Sequence, residues 1–271
     1  MEYLRQEWNN RNINPLTSNE VDCIIIKDVP CSQVEIWNFF ENSFRPSPQD
    51  PQNQMFVNIV SDERKHRGAE IATPPSDGGT ISKQTWRPDL EWHMDQGYKE
   101  RPPEYIALYS VNIGDDAGNT LFVSSRICDD IPEYFKKHKD TKVKLNINKF
   151  ENSNHQFGSE IERRFFRKKY RNVEHDSFQI DNKGYYLFYC EAYFELPEME
   201  MLKKKLYNSK RIYSHQWRTG ELIIYNNKTT NHKRENGGTT RHLWKIALHN
   251  RTQDLAPEGG VEPPRPAKDT E

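Results

Sequence analysis

Short segments rich in β-branched and aromatic residues, separated by turn-forming residues, are the feature that most limits how this chain folds. Such segments are typical of β-strands. They are VDCIIIKDV (21–29), MFVNIV (55–60), RPPEYIALYSVNI (101–113), NTLFVSS (119–125), KGYYLFYCEAYFEL (183–196), GELIIYNN (220–227) and TTRHLWKIALHN (239–250). Between the third and fourth, the turn signal GDDAG predicts a reversal of the chain.

Helical patterns are fewer and lie near the start and in the middle of the sequence. Residues 32–44 keep Val34, Trp37 and Phe40 at helical spacing, with Ser32 as a plausible N-cap. Segments 131–140 and 196–209 each carry a proline suited to a first helical turn. Mostly strands with a few helices predict a mainly β fold with flanking helices, an antiparallel sandwich or barrel.

Composition bounds the domain count and the partners. Residues 253–271 are rich in Pro, Gly and charge, which predicts a disordered tail behind one domain over residues 1–252. A formal net charge of -1 disfavours nucleic acid as the main partner. The basic run at 163–171, with its interleaved aromatics, is interpreted as a solvated loop or edge strand.

The compartment is predicted from what the sequence lacks. Four scattered cysteines give neither a disulfide framework nor a zinc knuckle. The sequence has no apolar run of about 18 residues, so no membrane span is expected. We therefore expect a soluble protein of a reducing, cytoplasmic compartment; its oligomeric state stays open.

A histidine and a carboxylate two positions apart, in LEWHMD (90–95), raise the question of a metal site. If this stretch is a strand, His93 and Asp95 point to the same face. With one more histidine they form the two-histidine, one-carboxylate triad of non-heme iron(II) oxygenases. His232, after the strand at 220–227 and its polar turn, is the candidate for the third ligand.

Four segments in order resemble the taurine dioxygenase family of Fe(II)/2-oxoglutarate enzymes. They are WHMDQGY, AGNTLF, GELIIYNNKTTNH and TRHLWKIAL, in which Thr120 lies 27 positions after His93 and Arg241 lies 9 after His232. The resemblance covers roughly residues 20 to 250 and implies a double-stranded β-helix (jelly-roll) core. It also implies dioxygen as a co-substrate and oxidation of an unactivated C–H bond, with release of succinate and CO2.

The resemblance implies a role for each matching residue. His93, Asp95 and His232 are expected to bind Fe(II). Arg241 is expected to hold the far carboxylate of 2-oxoglutarate, because a guanidinium can make two parallel hydrogen bonds to it; the alternative is a surface salt bridge. Thr120 is expected to donate a hydroxyl hydrogen bond to the same carboxylate.

Departures from the family pattern bear on the substrate. The taurine-binding member has arginine where this chain has Lys245, and asparagine where it has Asp89, so taurine is not the expected substrate. Strand alternation puts Arg241, Leu243 and Lys245 on one face. We expect the Lys245 ammonium to need an anionic group of the substrate as its partner. We expect the Asp89 carboxylate to pair with an ammonium of the substrate. The alternative is that Asp89 and Lys245 pair with each other or lie in solvent. Tyr98 is a further candidate substrate contact.

Three functions remain open on the sequence alone. The first is oxidation (hydroxylation, desaturation or cyclisation) of a small, amino-acid-derived carboxylate metabolite. The second is oxidation of a protein or peptide side chain, and the third is non-catalytic binding of iron or 2-oxoglutarate. A closed pocket roofed by residues 149–180 would favour the small molecule, and a long open groove would favour a peptide.

Overall fold

The computed structural model shows a mainly β protein with a few α-helices in the part of the chain that it describes. The described residues are 1–47, 55–61, 80–81, 90–115, 117–127, 140–146, 148, 160–176, 178–180, 186–188, 201, 204–235 and 241–251. The predicted tail (253–271), nearly all of the predicted helix at 131–140 and Asp89 lie outside them.

The helices and the first strands carry the following bounds. Three α-helices are α1 (Asn14–Thr17), α2 (Gln33–Phe40) and α3 (Glu160–Tyr170), and residues 204–207, within the helix predicted at 196–209, are also helical. The first eight strands are β1 (Tyr3–Glu7), β2 (Cys23–Lys27), β3 (Phe44–Pro46), β4 (Phe56–Ser61), β5 (Thr80–Ile81), β6 (Leu90–His93), β7 (Tyr105–Ile113) and β8 (Thr120–Ser124).

The remaining strands complete two main sheets and two small two-stranded sheets. They are β9 (Lys142–Lys144), β10 (Glu174–Asp176), β11 (Phe178–Ile180), β12 (Tyr186–Phe188), β13 (Tyr213–His215), β14 (Leu222–Asn226), β15 (Thr230–Arg234) and β16 (Arg241–Asn250). Short 3-10 helices lie at Trp8–Asn10 and Ser125–Ile127. Among the described residues, no helix is both long and apolar enough to cross a membrane.

Two facing sheets form the jelly-roll core that was predicted. The major sheet has eight strands in the order β1-β2-β14-β7-β16-β4-β5, with β3 beside β16, and the minor sheet has four in the order β13-β8-β15-β6. The β1·β2 and β4·β5 pairs are parallel, so the major sheet is mixed and not wholly antiparallel as expected.

The major sheet is buried on both faces, which explains why its strands are almost continuously apolar. Residues Ile24 and Ile26 of β2 pack in one cluster with Leu16 of α1 and Phe40 of α2. The alternate residues of β2 and β14 pack in a second cluster that includes Phe122 of the minor sheet. The inner face of the major sheet therefore faces the minor sheet.

The sequences of two α-helices explain where α2 begins and which side of α3 is buried. Helix α2 begins as predicted, because the Ser32 hydroxyl accepts a hydrogen bond from the Glu35 N–H at 3.3 Å. The basic run at 163–171 was wrongly interpreted as a loop or edge strand; most of it lies in α3. Phe166 and Tyr170, four residues apart, are buried on one side of α3 while the basic side chains between them are exposed.

Candidate metal and co-substrate site

Two neighbouring strands of the minor sheet bring His93 and His232 together. His93 ends β6, and His232 lies directly opposite it on the antiparallel strand β15. Their ring centroids are 4.1 Å apart. The sequence placed His232 after a polar turn, but it lies within a strand. That strand, TNHKR, has no apolar residue and so carries no sequence signal of a β-strand.

Asp95 reaches the two histidines by a different route from the one predicted. Strand β6 ends at His93, so alternation along a strand does not account for the direction of Asp95. Its backbone is held instead by the side chain of Asn227, whose Oδ1 accepts the Asp95 N–H and whose Nδ2 donates to the Asp95 carbonyl, both at 2.9 Å. Gln96 then adopts a left-handed conformation (φ 54°) that turns the chain away.

The three side chains form a compact group of metal-ligand atoms. One ligand atom from each of His93, Asp95 and His232 lies within 4.8 Å of the others. Asp95 Oδ2 is 3.5 Å from His232 Nε2. Two imidazoles and one carboxylate on one side of an ion leave the remaining positions of an octahedral metal open, a donor set that fits Fe(II).

Electrostatics keep these groups in the protonation states that a metal needs. Burial, and then the charge of His93, lower the pKa of His232 well below its ordinary value, which favours the neutral imidazole. Burial alone would raise the pKa of Asp95, but the positive charge of Lys245 and its hydrogen bond hold it well below its usual range. The carboxylate is therefore ionised and the His232 imidazole neutral at physiological pH.

Two residues of the major sheet hold the Asp95 carboxylate. Lys245 of β16 donates from Nζ to Asp95 Oδ1 at 2.8 Å, and the Tyr225 hydroxyl of β14 donates to Oδ2 at 2.9 Å. The expectation that Lys245 would lack an anionic partner in the protein is therefore wrong, because this partner is one of the candidate metal ligands.

Arg241 and Thr120 meet across the two sheets, as a co-substrate site requires. Arg241 Nη1 donates to Thr120 Oγ1 at 3.2 Å, and Trp217 Nε1 donates to the same oxygen at 2.8 Å. The Arg241 guanidinium lies 5.4 Å from the centre of the Trp217 ring. Arg241 is only 7% exposed, which excludes the alternative of a surface salt bridge.

The cationic environment of Arg241 favours an anion beside it. Burial, and then the charge of Arg234, lower the pKa of Arg241 to about 9. A buried cation next to a second cation is costly unless an anion compensates it. Arg241 Nε is also buried without a hydrogen-bond partner in the part of the chain that the structure describes. A carboxylate would satisfy both the charge and this N–H.

The predicted substrate residues do not all gather in the described part of the site. Asp89 lies outside it. Tyr98 packs edge-on against Phe166 and Tyr170 of α3, with ring centroids 6.1 and 5.2 Å away. The segment containing α3 therefore covers the turn that follows Asp95, and the buried His175 contacts the Gly97 carbonyl in that turn at 3.1 Å.

Three residues at the site were not predicted: Asn227, Tyr225 and Trp217. Tyr225 had a usable signal, because it alternates with the inward-facing Ile223 along β14. Asn227 lies in an Asn-rich turn, where a local backbone hydrogen bond is the ordinary expectation. Its bond to Asp95 spans 132 positions and has no sequence signature.

Comparison with known proteins identifies one family and many solved structures of similar fold. Residues 19–247 match the family described as "Taurine catabolism dioxygenase TauD, TfdA family". No curated protein sequence matches the chain.

Three solved structures illustrate the similarity in fold. AAD-2 in complex with Mn(II) and N-oxalylglycine has a TM-score of 0.63 at 14% identity, over 87% of this chain and 85% of that one. A putative alpha-ketoglutarate dependent 2,4-D dioxygenase from Burkholderia xenovorans has a TM-score of 0.60 at 16% identity, over 88% and 87%. PvcB, an Fe, alpha-ketoglutarate dependent oxygenase from an isonitrile synthetic pathway, has a TM-score of 0.57 at 17% identity, over 90% and 82%.

Proposed function

The chain belongs to the taurine catabolism dioxygenase TauD, TfdA family and is an Fe(II)- and 2-oxoglutarate-dependent dioxygenase, and we propose that it oxidises an unactivated C–H bond of a small, amino-acid-derived carboxylate. The products would be an oxidised metabolite, succinate and CO2. The observation that carries the proposal is the grouping of His93, Asp95 and His232, with ligand atoms within 4.8 Å, between the same two sheets that hold Arg241 and Thr120.

In this proposal His93, Asp95 and His232 hold Fe(II). When bound, the metal supplies the activation of dioxygen that side chains alone do not provide. The protein contributes an ionised carboxylate and a neutral His232 imidazole, both buried, at fixed positions. AAD-2, which shares the fold, binds Mn(II) and N-oxalylglycine.

Thr120 and Arg241 would hold the far carboxylate of 2-oxoglutarate. A hydroxyl has one proton to donate and two lone pairs that accept. Both lone pairs of Thr120 Oγ1 receive hydrogen bonds, from Trp217 Nε1 and Arg241 Nη1. The Thr120 proton is therefore left to donate, and a carboxylate beside Arg241 is a suitable acceptor.

Charge supports an anionic substrate. Lys245 neutralises Asp95, and the two charges of a divalent metal match those of the 2-oxoglutarate dianion. After these charges cancel, Arg241 and Arg234 are the described residues at the co-substrate end that leave the site positively charged. This excess positive charge favours a substrate that carries a carboxylate. Direct substrate contacts by Lys245, Asp89 and Tyr98 stay predictions.

The size of the substrate distinguishes this proposal from a peptide oxygenase. Helix α3 packs over Tyr98, three positions beyond Asp95, so part of the 149–180 segment lies against the metal-ligand turn. That placement supports a roofed site, which suits a small molecule better than a long peptide groove.

A substrate screen tests the proposal. Purified protein with Fe(II), 2-oxoglutarate and oxygen would be incubated with pools of amino acids, amino-acid-derived carboxylates or peptides, and succinate would be measured. We expect a small carboxylate pool to stimulate succinate release, and His93→Ala to abolish it. Stimulation by peptide pools alone would favour the peptide oxygenase instead, and binding of 2-oxoglutarate without any succinate release would favour a non-catalytic protein.

A further inference from the structure

The two oxygens of the Asp95 carboxylate lie in different environments. Oδ2 faces His232 Nε2 at 3.5 Å and accepts the Tyr225 hydroxyl at 2.9 Å. Oδ1 accepts Lys245 Nζ at 2.8 Å, with the Lys245 and Asp95 side chains only 14% and 9% exposed. One oxygen is thus turned toward the imidazoles and the other toward a buried cation.

We propose that Lys245 is a positioning residue of the metal centre, an inference that rests on the proposed function. By holding Oδ1, Lys245 leaves Oδ2 as the oxygen that Asp95 presents to the metal. The ammonium and a divalent cation also compete for the same negative charge, so Lys245 weakens metal binding while it fixes the direction of the ligand.

The strength of this competition follows from burial. Charges a few ångströms apart interact several times more strongly in a protein interior than in water. The metal-free protein gains from the Lys245–Asp95 pair, whereas in the metal-bound protein the same ammonium lies close to a dication. Removing Lys245 therefore destabilises the metal-free state more than the metal-bound state, and the affinity for a divalent metal rises.

The open coordination positions give this arrangement a function. Three protein ligand atoms leave three positions of an octahedral ion for other ligands. A second oxygen from Asp95 would take one of those three. Because Lys245 engages Oδ1, it keeps that position free for co-substrate or oxygen.

The alternative is that Lys245 serves only as a substrate anchor, as the sequence suggested. In that case the ammonium would act when substrate is present and would have no effect on metal binding in its absence. The two roles are therefore separated by a measurement that uses metal alone.

The test is a Mn(II) titration of the parent, Lys245→Met and Lys245→Arg proteins without 2-oxoglutarate or substrate. Free Mn(II) would be followed by electron paramagnetic resonance, and water bound to the metal by proton relaxation. We expect Lys245→Met to lower the Mn(II) Kd by about tenfold or more, equivalent to about 1.4 kcal/mol, and to reduce the number of bound waters. Lys245→Arg keeps the cation and should resemble the parent.

The outcomes separate this inference from the proposed function. If the parent binds Mn(II) but Lys245→Met binds it equally or more weakly, Lys245 has no positioning role, and the proposed function is untouched. If the parent does not bind Mn(II), the proposed function itself fails. Thermal unfolding without metal checks that each variant is folded, and Lys245→Gln replaces the Met variant if that protein does not fold.

Discussion

Removal of the Arg241 guanidinium should selectively weaken binding of 2-oxoglutarate. Arg241 is 7% exposed, donates to Thr120 and packs on Trp217, so its position is fixed before the co-substrate arrives. We expect Arg241→Ala to leave the co-substrate carboxylate in a buried site without its guanidinium partner, although the Thr120 hydroxyl remains.

The magnitude follows from the burial of the charge. Loss of one partner of a buried, hydrogen-bonded charge pair costs about 2–5 kcal/mol. That range corresponds to a rise in the 2-oxoglutarate Kd of roughly 30-fold to several thousand-fold. Arg241→Lys keeps a positive charge but loses the planar pair of donors, so its Kd should lie between those of the parent and the Ala variant.

Calorimetric titration of 2-oxoglutarate into Mn(II)-loaded protein measures this directly, without turnover. Arg5→Ala is the matched control, because it removes an exposed guanidinium from β1. Mn(II) affinity should be the same in all variants. The reasoning is refuted if Arg241→Ala changes the 2-oxoglutarate Kd less than about threefold, a change worth under about 0.7 kcal/mol.

Three further predictions follow from the same structure. Thr120→Val should raise the 2-oxoglutarate Kd by about tenfold or more, since a hydrogen bond to a charged group is worth about 1.5–3 kcal/mol, while Thr120→Ser should not. Asn227→Ala should weaken Mn(II) binding about 10–100-fold by releasing the Asp95 backbone; unchanged binding would contradict the role of Asn227. Burial and nearby cations, Arg45 first, lower the pKa of His249 to about 4. The unfolded chain therefore takes up a proton that the folded one does not, and about 1–2 kcal/mol of stability should be lost between pH 7 and pH 5; urea unfolding of His249→Gln should lack this contribution.

Periodic sequence signals accounted for the sheets better than for the site. Leu243 and Trp244 lie in opposite clusters, as strand alternation predicts, because apolar residues on both faces mark β16 clearly. Strand β15 was missed because all its side chains are polar, although four of its five residues are buried.

The residues that hold Asp95 show where sequence reasoning ends. The spacing of His93 and Asp95 pointed to a metal site, but the strand ends between them and Asn227 supplies the geometry. The partner of Lys245 was also missed, because a pair 150 positions apart depends on which strands become neighbours. Long-range contacts of this kind are set by topology, which local patterns do not specify.

The most direct test of the account is anaerobic addition of Fe(II) and then 2-oxoglutarate to the purified protein, followed by visible absorption. We predict a weak charge-transfer band that appears only when both are present, and that is lost in His93→Ala and in Asp95→Ala. Retention of the band in both variants would show that the metal is bound elsewhere and would contradict the assignment of this site.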